Sequence, residues 1–253
     1  MLQALLKAGY QPITFQQYCQ GDKPQCKWVI LRHDVDLKAM NSLHTAQLEK
    51  SLGICASYYF RVVPQSNQPE IIRQIAEMGH EIGYHYEDLS MANGSVNIAI
   101  VHFAEHLAYF RRFYPVSTIC MHGAPTSKYD GRDLWKSYDY HQYDIIGEPY
   151  FDIDFNHVLY LTDTGRQWDG YKVSVRDKVA QQDEWCRRGL VFHKTDDLIN
   201  GFSSVLQNVE CMMITTHPQR WTDHKIEWLK EFLAQNLKNI VKRILIYGKT
   251  HLR

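Results

Sequence analysis

The stretch Val29-Ile30-Leu31-Arg32-His33-Asp34-Val35-Asp36 decides how this chain is read. It is a short apolar, strand-like run that ends abruptly in two carboxylates. One residue separates Asp34 from Asp36, and side chains alternate along an extended chain, so both point to the same side. Gly79-His80-Glu81-Ile82-Gly83-Tyr84-His85 is built the same way and ends in an imidazole. Three later runs repeat the design: 117–122 ends in His122, 158–163 in Asp163 and 212–217 in His217. Polar residues gathered at the carboxyl ends of successive strands are how an α/β barrel active site looks in sequence.

The spacing between these runs supports that architecture. Helical patterns are expected over 39–52, 70–78, 95–113, 198–206 and 225–240, with a helix and turn over 2–18. Strands are expected at 28–33, 55–63, 81–85, 117–121, 143–146, 157–162 and 211–216. Strands alternating with helices imply a mostly parallel sheet with right-handed crossovers. About seven core strands suit an incomplete or distorted barrel. The segment 138–189, rich in turns, reads as irregular. No repeat, low-complexity tract or long linker interrupts the chain, so residues 1–253 read as one domain.

Composition narrows the function. The chain has 253 residues, 45% hydrophobic and 22% charged, with 28 basic and 28 acidic residues. Zero net charge argues against nucleic acid or an anionic membrane as the main partner. No apolar run approaches a membrane span. Six cysteines without a C-x-x-C pair read as reduced thiols, Cys55, Cys120 and Cys211 lying in apolar runs. With no signal peptide legible at 1–10, the expected location is cytoplasmic. Oligomeric state has no sequence signal.

The order D-x-D, G-H-E-I-G-x-H, His-Gly-x-Pro, D-x-G-x-x-W and T-x-H-P resembles the polysaccharide deacetylase (NodB homology) family of carbohydrate esterases. The resemblance covers 28–221; Gly79 to Gly83 and His217-Pro218 are its most specific pieces. It implies a distorted seven-stranded (β/α) barrel and a hydrolase acting on carbon–nitrogen bonds other than peptides. The implied substrate is an acetylated sugar or saccharide precursor, and the implied cofactor one divalent metal, zinc by ligand type. On the matching positions Asp34 is the catalytic base, Asp36 and His85 are metal ligands and His217 is the general acid. Asp163 and Trp168 fall on the motif that orients the acid and lines the cleft. The chemistry needs these types: carboxylate and imidazole ligands with an open position for water, a base for that water's proton and an acid for the leaving amine. A backbone N–H in the loop 122–126 is the expected oxyanion donor.

Two positions depart from the family. Its second metal histidine lies four residues after the first, where this chain has Leu89, and its motif-three arginine is replaced by His122. The expected third ligand is therefore His122, with Asp88 or Glu87 as substitutes. Two other readings stay open: a saccharide-binding barrel that has lost its metal, and a hydrolase of a non-sugar amide. A compartment without secretion favours a nucleotide-linked or lipid-linked precursor over a finished polymer.

Each assignment has a plainer counterpart. Asp34 and Asp36 also suit an N-cap and a turn at a strand–helix junction. His33 and His80 alternate away from the site residues and read as structural. Arg32 and Arg61 suit either a substrate anion or an internal ion pair, and Trp168 a sugar platform or plain core. Tyr129, in the polar segment 128–132, is a candidate cleft wall. His102, Glu105 and His106 fit the inverted zincin pattern H-x-x-E-H, but mid-helix and without a third ligand they read as a solvated face.

Overall fold

A computed structural model describes residues 1–124, 126–168 and 179–250, with side chains to 240 in the last helix. The chain runs α1 (Leu2–Lys7), β1 (Gln11–Ile13), α2 (Phe15–Cys19), β2 (Trp28–Val35), α3 (Ala39–Ser51), β3 (Ser57–Phe60), α4 (Pro69–Glu77), β4 (Glu81–Tyr86), α5 (Asp88–Met91), α6 (Val96–Phe110) and β5 (Ile119–Met121). It continues with α7 (Pro149–Asp152), β6 (Leu159–Thr162), α8 (Gln182–Arg187), α9 (Thr195–Gly201), β7 (Cys211–Thr216) and α10 (Lys225–Thr250). Short 3₁₀ turns lie between several of these elements.

All seven strands are parallel to their neighbours, in the order β5-β4-β3-β2-β7-β6, with β1 added to β2. β2 is the hub. β7 runs along one edge from Trp28 to His33. The other edge is shared: β1 pairs with Trp28 to Ile30 and β3 with Arg32 to Val35. Among the described residues β5 and β6 do not pair, so the curled sheet stays open there; a lone bridge from Thr118 to Gly147 sits at that seam. This is a distorted seven-stranded (β/α) barrel.

Every residue of β2, β3, β4 and β5 is buried, as parallel strands covered by helices require. Tyr58, Phe60, Tyr84 and Tyr86 are buried on one face of the sheet. Tyr59 lies on the other, the face of Asp34, where Gly83 makes room for it, because a Cβ there would overlap the Tyr59 ring. α4 shows how the outer layer forms. Pro69 occupies its first turn, where a missing N–H costs nothing. Ile71, Ile72 and Ile75 form its buried face, each worth about 1.5–3 kcal/mol of burial. Gly79, at φ +92°, ends it in the left-handed conformation glycine tolerates.

Buried polar groups tie the layers together. Glu81 accepts from Ser57 Oγ at 2.6 Å, from the Gln16 N–H at 3.0 Å and from the Thr118 hydroxyl, joining β3, β5 and α2 beneath the barrel. Burial raises its carboxyl pKa, and these hydrogen bonds oppose the rise. His33 bridges Thr216 Oγ1 at 2.6 Å and Glu49 Oε1 at 2.8 Å. His80 accepts from the Ala56 N–H and faces the Ala46 carbonyl, each at 3.1 Å. Both histidines are structural, as their alternation predicts.

Several expectations need correction. Residues 2–18 are not one helix and turn: Gly9 (φ +85°) stops α1, and Pro12, which has no N–H, lies in the edge strand β1. A capping box between Thr14 and Gln17 then starts α2. The expected strand at 143–146 is absent; a 3₁₀ turn spans Tyr140–Tyr143, and Asp144 at φ +55° breaks the extension. Of the irregular segment 138–189, residues 169–178 lie outside the described residues. The cysteines are all free but not all buried, since Cys26 is exposed and Cys55 and Cys211 are half-buried.

Candidate active site

Four strand ends converge on Asp36. β2 carries Arg32, Asp34 and, one residue beyond its end, Asp36, all on one side of the strand. β4 delivers His85, β5 leads into His122 and β7 into His217. Asp36 Oδ1 is buried without a hydrogen-bond partner. It lies 3.5 Å from His85 Nε2 and 3.5 Å from His122 Nε2. The two rings stand edge to face, with centroids 5.2 Å apart. Each is fixed through its other nitrogen: His85 Nδ1 lies 2.9 Å from the Cys120 carbonyl and His122 Nδ1 lies 2.9 Å from Glu87 Oε2. With Nδ1–H donated to these oxygens, Nε2 is the ring nitrogen that each histidine turns toward Asp36. This is how proteins prepare imidazoles as metal ligands.

Burial works against the Asp36 charge, but His122, His85 and His217 outweigh it and hold the carboxyl well below the usual range. An orphaned buried carboxylate oxygen facing two oriented imidazoles fits a divalent cation. Among the described residues, the group whose ligand-type atoms all lie within 4.8 Å of one another is Asp34, His85 and Cys120. In it, Arg32 pairs with both oxygens of Asp34 and the Cys120 thiol faces the Met121 carbonyl.

Arg32 is an internal ion pair. Its Nε lies 3.0 Å from Asp34 Oδ1 and its Nη2 lies 2.8 Å from Oδ2, and its guanidinium stacks near the Tyr150 and Tyr160 rings. Asp34 Oδ2 also lies 3.9 Å from His85 Nε2.

On the opposite side of Asp36, His217 Nε2 lies 4.0 Å from Oδ2. Its Nδ1 is 2.6 Å from Asp163 Oδ1, which fixes the ring. Asp163 also accepts from the His217 N–H, Trp221 Nε1 and Arg220. Burial pushes the Asp163 carboxyl up, but Arg220 and His217 overcome it and bring the pKa down to about 2.

The remaining candidates are distributed otherwise. Asp88 is turned away from the centre, bonded to Tyr84 and His106 at 2.8 and 2.7 Å. Glu87 stands behind His122, and Arg61 pairs with Glu87 and donates to the Asp36 carbonyl. Arg61 is therefore a buttress and not an open substrate anchor. Leu89 is 3% exposed and packs in the core. Trp168 is equally enclosed, donates to Thr195 Oγ1 and lies against Trp221, so it is a wall and not an exposed platform. Tyr129 lines a polar cavity of about 400 Å³ with Glu87, Ser90, Asn93 and Lys128. The His122 N–H is bonded to the Tyr86 carbonyl and is withdrawn from oxyanion duty; Pro125 of that loop lies outside the described residues. In the inverted zincin pattern, His106 is held by Asp88 while Glu105 is exposed.

Sequence reasoning missed Gln219, which only the folded chain brings to Asp36. It offered Arg32 as a possible ion pair and Glu87 as a substitute ligand; the structure pairs Arg32 with Asp34 and sets Glu87 as the support behind His122.

No family model and no curated protein matches this sequence. Among solved structures, 84% of the chain aligns with 63% of a mutant pseudoenzyme of carbohydrate esterase family 4 with restored enzymatic activity, at 12% identity and a TM-score of 0.48. A family 4 carbohydrate esterase of Bacillus subtilis aligns over 92% of this chain and 80% of its own, at 8% identity and a TM-score of 0.43. A family 4 acetyl xylan esterase from Clostridium thermocellum, in complex with a cobalt ion, aligns over 87% and 91%, at 19% identity and a TM-score of 0.37. This chain spans less than two thirds of the pseudoenzyme's length. The strand topology is that of a distorted, parallel seven-stranded (β/α) barrel with polar residues at its strand ends.

Proposed function

We propose that the protein is a metal-dependent hydrolase that removes an acetyl group from a saccharide or saccharide precursor, cleaving a carbon–nitrogen bond other than a peptide. The observation that carries this reading is the buried, unpartnered Asp36 Oδ1 between two imidazole nitrogens. Asp36, His85 and His122 would hold the metal, and one carboxylate with two imidazoles suits zinc. A divalent cation there would polarise the scissile carbonyl and acidify a water.

The chain's own residues supply the rest. Asp34, held by Arg32 and two residues from Asp36, takes the proton from the attacking water. His217 protonates the leaving amine through Nε2, the nitrogen that Asp163 leaves facing the site. Asp163 fixes the ring through Nδ1, so that Nε2 is the nitrogen placed to act as the general acid. Acid and base thus stand on different strands, β7 and β2, on either side of Asp36.

The test is the metal content of the purified wild type beside His85→Ala, His122→Ala and Leu89→His, followed by acetate release from N-acetylated saccharides. About one equivalent in wild type, lost in both alanine variants, with acetate released by wild type alone, is the expected result. A wild type without metal that gains it in Leu89→His would overturn the reading in favour of a saccharide-binding barrel. Release of an acyl group only from non-sugar amides would move the substrate class.

A further inference from the structure

Gln219 is 5% exposed and sits in the 3₁₀ turn Pro218–Arg220 that follows the acid histidine. Its Nε2 donates to Asp36 Oδ2 at 3.1 Å, while its Oε1 is buried with no partner. The amide orientation follows from charge, since the reverse would set an oxygen against the carboxylate. A buried amide with one satisfied end is a costly way to fill space. An unpaired buried acceptor costs about 1–3 kcal/mol, which an aliphatic side chain would avoid.

We infer that Gln219 is a positioning residue that fixes Asp36 as a one-oxygen ligand. By occupying Oδ2 it leaves Oδ1 alone to face His85 and His122, and it holds the plane of the carboxylate. It does for the Asp36 ligand what the Cys120 carbonyl and Glu87 do for the two imidazoles, so all three ligands carry a fixed supporting contact. The inference rests on the proposed metal site and adds a residue to it. Its unpaired Oε1 remains an acceptor for a donor that enters with water or substrate.

The experiment measures zinc affinity by chelator competition, together with the melting temperature of the metal-free protein, for wild type, Gln219→Leu and Asn41→Ala. Asn41 serves as the control because its Nδ2 approaches the Pro218 carbonyl at 3.4 Å, in the same turn, without touching Asp36. The expected result is zinc binding roughly tenfold to a hundredfold weaker in Gln219→Leu, an apo melting temperature no lower than wild type, and near wild-type affinity in Asn41→Ala. Unchanged affinity in Gln219→Leu would overturn the inference while leaving the metal site standing. Equal losses in both variants would overturn it too, making the turn and not the amide responsible. A wild type that binds no zinc would instead sink the metal site itself.

Discussion

Asp34, Asp36 and His85 could be read from the chain because alternation along a strand fixes their direction before anything packs. Replacing Asp34 by Asn should abolish hydrolysis while leaving bound metal near one equivalent, since Asp34 is assigned the proton and not the ion. Metal analysis beside a rate assay separates the two. Glu148 is a residue that no motif marked. It is fully buried and accepts from the Met121 and Tyr150 N–H groups at 3.0 and 2.6 Å. Burial raises its carboxyl to about 7, against the pull of those N–H groups, Arg32 and Arg132. A folded pKa above the unfolded value means the folded state binds the proton more tightly. The associated stability is present below about pH 4.5 and is lost as pH rises through about 7, a change on the order of 3 kcal/mol. Glu148→Gln should flatten the fall in unfolding free energy between pH 5 and 8; an unaltered slope would show that Glu148 does not control it.

At the scale of elements, β4 depends on close approach. Gly83→Ala places a Cβ against the Tyr59 ring and 3.1 Å from the Thr118 carbonyl. Overpacking of this kind costs about 1–3 kcal/mol, to be read as a lower denaturation midpoint. α10 behaves in the opposite way. It is expected from sequence as a closing amphipathic helix, but its inward stripe is Glu231, Gln235 and Asn239, with Arg166 over the Trp228 and Phe232 rings. Ile226, Leu229, Leu233, Leu237 and Ile240 lie outward and exposed. Because Leu229 and Leu233 are exposed, Leu229→Glu with Leu233→Glu should leave the unfolding free energy within about 0.5 kcal/mol per site. A loss of several kcal/mol would show that this face is buried in solution.

For the whole molecule, the proposed site joins the ends of β2, β4 and β5, while the core beneath it is packed independently. Zinc should therefore stabilise a protein that is already folded. A hundredfold excess over Kd contributes about 2.7 kcal/mol, which raises Tm by about 5–10 °C in a chain of this size. Thermal scans with zinc and with chelator check this, and a Tm indifferent to both would count against the site. No helix among the described residues is long and apolar enough to cross a membrane.

The sequence by itself determined the alternating order of strands and helices, the β2 and β7 runs, and which polar residues stand at the strand ends. Those features follow from local periodicity, which the chain carries residue by residue. Register and closure came only with tertiary structure. The sharing of β2 between β1 and β3, the loss of the strand at 143–146 and the short α5 depend on neighbours far away in sequence. The proposed third ligand shows the same division: sequence offers His122, with Asp88 or Glu87 as substitutes, and packing shows only where each of them stands. The pairing of β4 with β5 sets His122 toward Asp36 and Glu87 behind it, while Tyr84 and His106 draw Asp88 away.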